Sequence, residues 1–339
     1  MTSTGEPPAG WNPMPRHTHT PLCGSRDRIV VGVDESPESV SALRWAAAEA
    51  RLRHTHLHVV HSHPEGTEGV DLDKVLKLAF TSPPPVEIES LSVAAKAPET
   101  LVAASHGAAL LVVGSHAHGA FAEVFRSVAW RSVAFATCPV AVVPSGDTFP
   151  EQTHGRVVVG VEDSFSARDA LWWAANETLF RSIGGGRCVL HVVHVAAPTV
   201  LIPRRLPPAE LIMDATATAG ELTGPERLLR SLATEILTGP LAKVEVLFEI
   251  RQGDSHERTG TVTGTLGKLA READLLVVGA RGYGVFSDAL SMSITSGALH
   301  GARCPVVVAP DTREDSRGRI RTATLAMEHE LARGGAVRW

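Results

Sequence analysis

The stretch Asp274-Leu275-Leu276-Val277-Val278-Gly279-Ala280-Arg281-Gly282-Tyr283-Gly284 decides how this chain is read. Its first half is apolar without alternation, which suits a strand covered on both faces, as in a parallel α/β sheet. Its second half is rich in glycine and turns. A segment able to form a helix follows, and Cys304-Pro305 opens a second apolar run, Val306 to Ala309. The predicted order is strand, loop, helix, strand. The loop then stands at the carboxyl end of a parallel strand, where open α/β sheets bind ligands.

The same pattern occurs earlier. Ala108 to Val113 is an apolar run, Gly114-Ser115-His116-Ala117-His118-Gly119 is a loop, and Cys138-Pro139 precedes the apolar run Val140 to Val143. Gly114 and Gly279 are 165 positions apart, and Cys138 and Cys304 are 166 apart, so the first copy lacks one residue between them. The beginnings also repeat. Arg28 to Val33 and Arg156 to Val161 both read as buried strands, and Gly32, Leu43 and Trp45 match Gly160, Leu171 and Trp173 at an offset of 128. A repeat of this kind takes precedence over any local motif. The chain is a tandem of two related units, the second longer by 37 residues between its first strand and its glycine loop. The extra length falls at Gly184 to Gly186, within Ala196 to Gly239, and around Asp254 to Gly264.

Within each unit, turn and cap chemistry punctuate a βαβ series. Ser36 can cap a helix with Pro37 at its first position, where the missing amide hydrogen costs nothing, and Val40, Leu43, Ala47 and Ala50 follow at helical spacing. Leu57 to Val60 reads as the second strand, Val86 to Val93 as the third, and Pro98 to Ser105 as a short helix. The predicted layout is a disordered arm over 1–26, a first domain over 27–145, a linker over 146–155, a second domain with insertions over 156–310, and a charged tail over 311–339. An apolar last strand such as Val306 to Ala309 invites pairing, so the two domains are expected to join through their last strands; the same argument allows a homodimer.

Composition narrows the function. The chain has 339 residues, 44% of them hydrophobic and 20% charged, with a net charge of −5. That length holds two domains with cores of their own, and the acidic balance gives no reason to expect nucleic acid. No apolar run approaches the length of a membrane span, and the N-terminus lacks a signal-peptide pattern, so a cytoplasmic location without membrane attachment is expected. Cys23, Cys138, Cys188 and Cys304 show no CxxC spacing and read as reduced, packed thiols.

Several catalytic readings fall away. No GxGxxG follows Gly32 or Gly160, and there is no GxSxG elbow or HExxH motif. Gly264-Thr265-Leu266-Gly267-Lys268-Leu269 resembles a phosphate loop only superficially, because Val262 stands where glycine is needed and Leu269 where a hydroxyl would reach magnesium. Asp34 and Glu162, each closing a first strand, have no identifiable nucleophile beside them and read as ligand contacts or helix-start anions. His54, His56, His58, His61 and His63 are dense, but no acidic or cysteine ligand stands at matching spacing, so no metal site is assigned.

The restarts Val31-Gly32-Val33-Asp34-Glu35-Ser36 and Val159-Gly160-Val161-Glu162-Asp163-Ser164, the two Leu-Val-Val-Gly loops and the two Cys-Pro strands resemble tandem universal stress protein domains, over about residues 28 to 310. The resemblance implies two open, mainly parallel five-stranded sheets with helices on both faces, of the adenine nucleotide alpha hydrolase-like kind. It also implies ATP, with Mg, as ligand, and a stress-response regulatory module rather than an enzyme. The family's nucleotide motif is glycine, two residues, glycine, nine residues, glycine, then serine or threonine; small residues admit phosphate to backbone amides, and the hydroxyl sits at a helix start that favours an anion.

By this resemblance the second unit keeps Gly279, Gly282 and Ser293 around Arg281, has Met292 at the last glycine position, and offers Val161, Glu162 and Val195 toward sugar and adenine. The first unit keeps Asp34, Gly114 and Ser127, with His116 in the loop, Ala117 and Arg126 in place of glycines, and Ser62 at the adenine side. Arg126 can turn its guanidinium to an anion. The retained glycines favour an adenine nucleotide in the second unit. The substituted ones favour a nucleotide-free scaffold that binds an unknown regulatory protein partner.

Overall fold

The computed structural model describes residues 28–84, 86–115, 122–146, 154–183, 186–196, 204–206, 223–252, 261–280 and 302–310. The N-terminal arm, the C-terminal tail, Cys23 and most of both glycine loops lie outside them. Strand β1 (Arg28–Gly32) leads into α1 (Pro37–Leu52), then β2 (Leu57–His63), α2 (Leu72–Ala79), β3 (Ile88–Ala94), α3 (Ala97–Ala104), β4 (Ala108–Ser115), α4 (Ala122–Phe135) and β5 (Val140–Pro144). The second half runs β6 (Arg156–Gly160), α5 (Phe165–Ile183), β7 (Val189–Ala196), β8 (Arg204–Leu206), α6 (Gly224–Ile236), a 3-10 turn (Gly239–Lys243), β9 (Glu245–Gln252), α7 (Thr261–Ala270), β10 (Leu275–Gly279) and β11 (Val306–Ala309).

Local chemistry sets the helix starts. The Ser36 hydroxyl accepts from the Ser39 amide at 3.2 Å, ahead of Pro37 in the first turn of α1. At α6, Thr223 and Glu226 form a reciprocal cap: the Glu226 carboxylate accepts from the Thr223 amide at 2.9 Å, and the Thr223 hydroxyl accepts from the Glu226 amide. Gly264 to Leu269 lie inside α7. A phosphate loop must precede its helix, so that placement removes the superficial match. The helix starts at Thr261, so the inserted length assigned around Asp254 to Gly264 ends before that residue.

The α/β expectation holds, and the two five-stranded arrangements are joined edge to edge. The strands form one sheet in the order β3-β2-β1-β4-β5-β11-β10-β6-β7-β9-β8. Pairing is parallel within each half, apart from β8, a strand from the inserted length that lies antiparallel on β9. The joint is antiparallel and pairs Val142 with Val306, Ala141 with Val307, and Val140 with Val308. Ala141 and Val307 are repeat equivalents facing each other, so an approximate twofold axis passes through that pair.

One face of the sheet carries a core continuous across both halves. Ile29, Val31, Leu43 and Trp45 belong to it together with Val157, Val159, Leu171 and Trp173. The opposite face carries separate clusters, one under α3 and α4 and one under α7. Fully burying a leucine or phenylalanine contributes about 1.5–3 kcal/mol, so the shared core binds the halves strongly.

A charged cluster lies in that same face. Glu49 and Arg53, at the end of α1, meet their equivalents Glu177 and Arg181 on α5: each arginine bonds the glutamate of its own helix and that of the other. Glu49 and Glu177 are 2% and 1% exposed, and the Arg53 guanidinium lies 5.6 Å from the Trp173 and Phe180 ring centres. Burial opposes every one of these charges. Even so, Glu177 and Glu49 hold the Arg53 pKa up, while Arg53 and Arg181 hold Glu177 below the ordinary range. Burial, reinforced by the charge on Glu177, raises Glu49.

Candidate functional site

In each half the first strand lies between its neighbours so that the chain leaves it in opposite directions: β1 between β2 and β4, and β6 between β7 and β10. At such a switch point the loops diverge and leave a crevice outside the carboxyl ends of the strands. Asp34 and Gly114 border the first crevice; Val161, Glu162 and Gly279 border the second.

Asp34 follows β1 and is half-buried. Its carboxylate accepts hydrogen bonds from the Ser36 amide, at 2.9 Å, and from the Ser36 hydroxyl, and its backbone carbonyl accepts from the Ser39 hydroxyl at 2.6 Å. The acid is therefore bound into the start of α1. In the second half, Ser164 takes over the cap, accepting from the Ala167 amide at 3.1 Å. Glu162 stays exposed at the rim. Partial desolvation of its carboxyl by the surrounding chain raises its pKa, against the pull of a hydrogen bond from Ser164.

The glycines that end β4 and β10 have a packing role. A Cβ on Gly114 would stand 2.9 Å from the backbone carbonyl of Glu38, and one on Gly279 2.7–2.8 Å from that of Ser166. The first turns of α1 and α5 thus rest directly on these strand ends, bringing the helix starts to the crevice. Gly32 and Gly160 serve the other face, where a Cβ would meet Leu101 and Leu266 at 2.8 and 2.9 Å.

The second strand of each half completes the crevice. The amides of Val33 and Val161 donate to the carbonyls of Val60 and Val193, at 2.9 Å each. Because residues alternate in the direction of their backbone groups, the next such groups, on Ser62 and Val195, point over the ends of β1 and β6. Sequence reasoning missed two residues here. His61 Nδ1–H donates to the Val33 carbonyl at 2.9 Å, and His194 Nδ1–H donates to the Val161 carbonyl at 3.0 Å. These bonds hold the segments that carry Asp34 and Glu162. The signal was available: Leu57-His58-Val59-Val60-His61 recurs identically as Leu190-His191-Val192-Val193-His194.

Three further histidines of the first half have contacts of their own. His56 and His58 each approach a glutamate, Glu87 and Glu89, at 3.2 Å, and the His61 and His63 rings stack at 5.9 Å. Among the described residues no three His, Cys, Asp or Glu gather as a metal site. Ser127 falls in α4, but its side chain, like His116, Arg281, Gly282 and Ser293, lies outside the described residues.

Comparison with known proteins gives the following. The model of the universal stress protein family matches residues 25–79, 67–144 and 153–310. The chain is 30% identical over 306 residues to a universal stress protein of Mycobacterium tuberculosis, covering 83% of this chain and 96% of the relative. It is 28% identical over 313 residues to a second universal stress protein of that organism, covering 84% and 96%. Among solved structures, a universal stress protein from Archaeoglobus fulgidus superposes with a TM-score of 0.54 at 17% identity, covering 84% of this chain and 96% of that one. Among the described residues, no helix is long and apolar enough to cross a membrane.

Proposed function

The chain belongs to the universal stress protein family, with two of its domains in tandem, and we propose that it is a regulatory module whose second domain binds an adenine nucleotide with little or no turnover. What supports this reading is the meeting, at one switch-point crevice, of the end of β7 at Val195, whose backbone lies beside the end of β6, with the exposed carboxyl of Glu162. The first suits the edge of an adenine ring, and the second a ribose hydroxyl. Gly279 opens the loop that would take the phosphates, with Gly282 and Ser293 as its further members. Mg would accompany the phosphates. In the first domain the corresponding carboxylate, that of Asp34, is half-buried and held by both the amide and the hydroxyl of Ser36, whereas Glu162, though bonded by Ser164, is exposed, and for that reason the second domain is preferred.

The test is thermal unfolding of the full chain with Mg-ATP, and with Mg-GTP as control. A ligand at about a hundred times its dissociation constant adds roughly 2.7 kcal/mol to the state that binds it. The expected result is a rise of several degrees with ATP and none with GTP. Glu162→Ala and Gly282→Asp should abolish the rise, while Asp34→Ala should keep it. No rise at millimolar ATP would overturn the reading. Met292 and Arg126, in place of glycines, would then favour the scaffold without nucleotide.

A further inference from the structure

The two ends of the sheet are not finished alike. In the second domain, β8 covers the outer edge of β9, with Arg204, Arg205 and Leu206 opposite Ile250, Glu249 and Phe248. In the first domain β3 is the terminal strand. Among the described residues nothing pairs with its outer edge, and its burial pattern is exposed or intermediate throughout. An open strand seven residues long is a template for another strand, and β3 contains none of the proline or lysine that usually blunts such an edge.

The register says what fits it. The Leu57 amide donates to the Glu87 carbonyl at 3.0 Å, so Glu87, Glu89, Leu91 and Val93 direct their backbone groups inward to β2. Ile88, Ser90, Ser92 and Ala94 therefore direct theirs outward. Leu57 pairs with Ile88, and its equivalent Leu190 pairs with Val246, which makes Leu91 the counterpart of Glu249. The second domain thus accepts its antiparallel strand centred on the position that Leu91 occupies in the first. There the central pair by register is Arg205 with Glu249; at β3 the centre is apolar, and Leu91 is 40% exposed, one of three exposed large hydrophobics among the described residues.

We propose that β3 is a self-association edge, pairing antiparallel with β3 of a second copy of this chain about a twofold axis at Leu91. In that register Ser90 faces Ser92 and Ile88 faces Ala94, so all the outward amides and carbonyls from Ile88 to Ala94 find partners. Leu91 meets Leu91 at a non-hydrogen-bonded pair, where side chains lie closest. Glu89 faces Val93, which keeps the like charges apart. The interface is isologous and closes on itself, giving a dimer and no further growth through this edge.

The test is the mass of the full chain in solution as a function of concentration, by sedimentation or light scattering. The expected result is a shift from 35.9 kDa toward twice that mass as concentration rises. Leu91→Lys, and separately Ser92→Pro, which removes only an outward amide, should weaken association at least about tenfold with the circular dichroism unchanged. If either variant fails to fold, oxidation of Leu91→Cys decides: a peptide linked 91 to 91 is expected by mass spectrometry, and none from the exposed control Ser82→Cys. A single 35.9 kDa species at every concentration overturns the proposal, as does a dimer that survives both substitutions and forms no 91–91 link.

Discussion

A glycine can serve the backbone's freedom or a neighbour's closeness, and the two make opposite predictions for alanine. Gly279 has no room for a methyl group, since the carbonyl of Ser166 stands 2.7–2.8 Å from where its Cβ would lie. Gly279→Ala should cost about 1–3 kcal/mol in urea unfolding, because the atoms in the way are backbone. Gly267, inside α7, has nothing within 4 Å. Gly267→Ala should instead stabilise by up to about 1 kcal/mol through helix propensity. The cysteines also have a residue-scale consequence. Burial pushes the thiols of Cys138 and Cys304 up to about 12 and that of Cys188 up to about 11. In native protein at pH 8 these three should resist alkylation by iodoacetamide and become labelled only on unfolding, as peptide mapping would report.

Strands and helices depend on groups whose charge changes with pH. His191 of β7 is 1% exposed, its Nε2 lies 2.8 Å from the Glu249 carboxylate on β9, and its Nδ1 has no hydrogen bond. Burial is the largest influence and lowers its pKa below 6.5, against the upward pull of Glu249. The unfolded chain then takes a proton that the native state declines. The stability His191 contributes is complete above 6.5 and is lost as the pH falls from there through the native pKa. Urea unfolding from pH 7.5 to 5 should show this loss, with a slope of at most about 1.4 kcal/mol per pH unit from this residue, and His191→Gln should flatten it. The cluster joining α1 and α5 behaves differently, since removing one member strands the others: Glu177→Gln should cost about 3–5 kcal/mol by the same measurement. Such elements were unequally legible. Leu275 to Val278 announced a buried strand because both its faces are covered, and Ser36-Pro37 announced a helix start because cap chemistry is local. The Glu49–Arg53–Glu177–Arg181 cluster was not legible, because i, i+4 pairs on each helix read as ordinary exposed pairs until the twofold brings them together. For the same reason β8 could not be foreseen, as its pairing is decided by the edge it covers. At the crevice, the acids and glycines were visible as residue types, but which carboxylate stays exposed depended on hydrogen bonds made by Ser36 and Ser164.

At the scale of the molecule, the halves share one core and one sheet, so neither can lose its structure without exposing the other. Calorimetry should record one transition, with the van't Hoff enthalpy equal to the calorimetric one, in place of the two expected of independent domains. Stabilisation by a ligand in the second domain would then appear in the unfolding of the first as well. The antiparallel joint of β5 and β11 has one more consequence. Because strand direction reverses at the joint, the carboxyl ends of the first half point toward one margin of the sheet and those of the second half toward the other. The crevices lie back to back, like the jaws of a double-ended wrench. A bound molecule at one cannot obstruct or touch a molecule at the other, and any influence between them has to pass through the sheet and the core that the halves share.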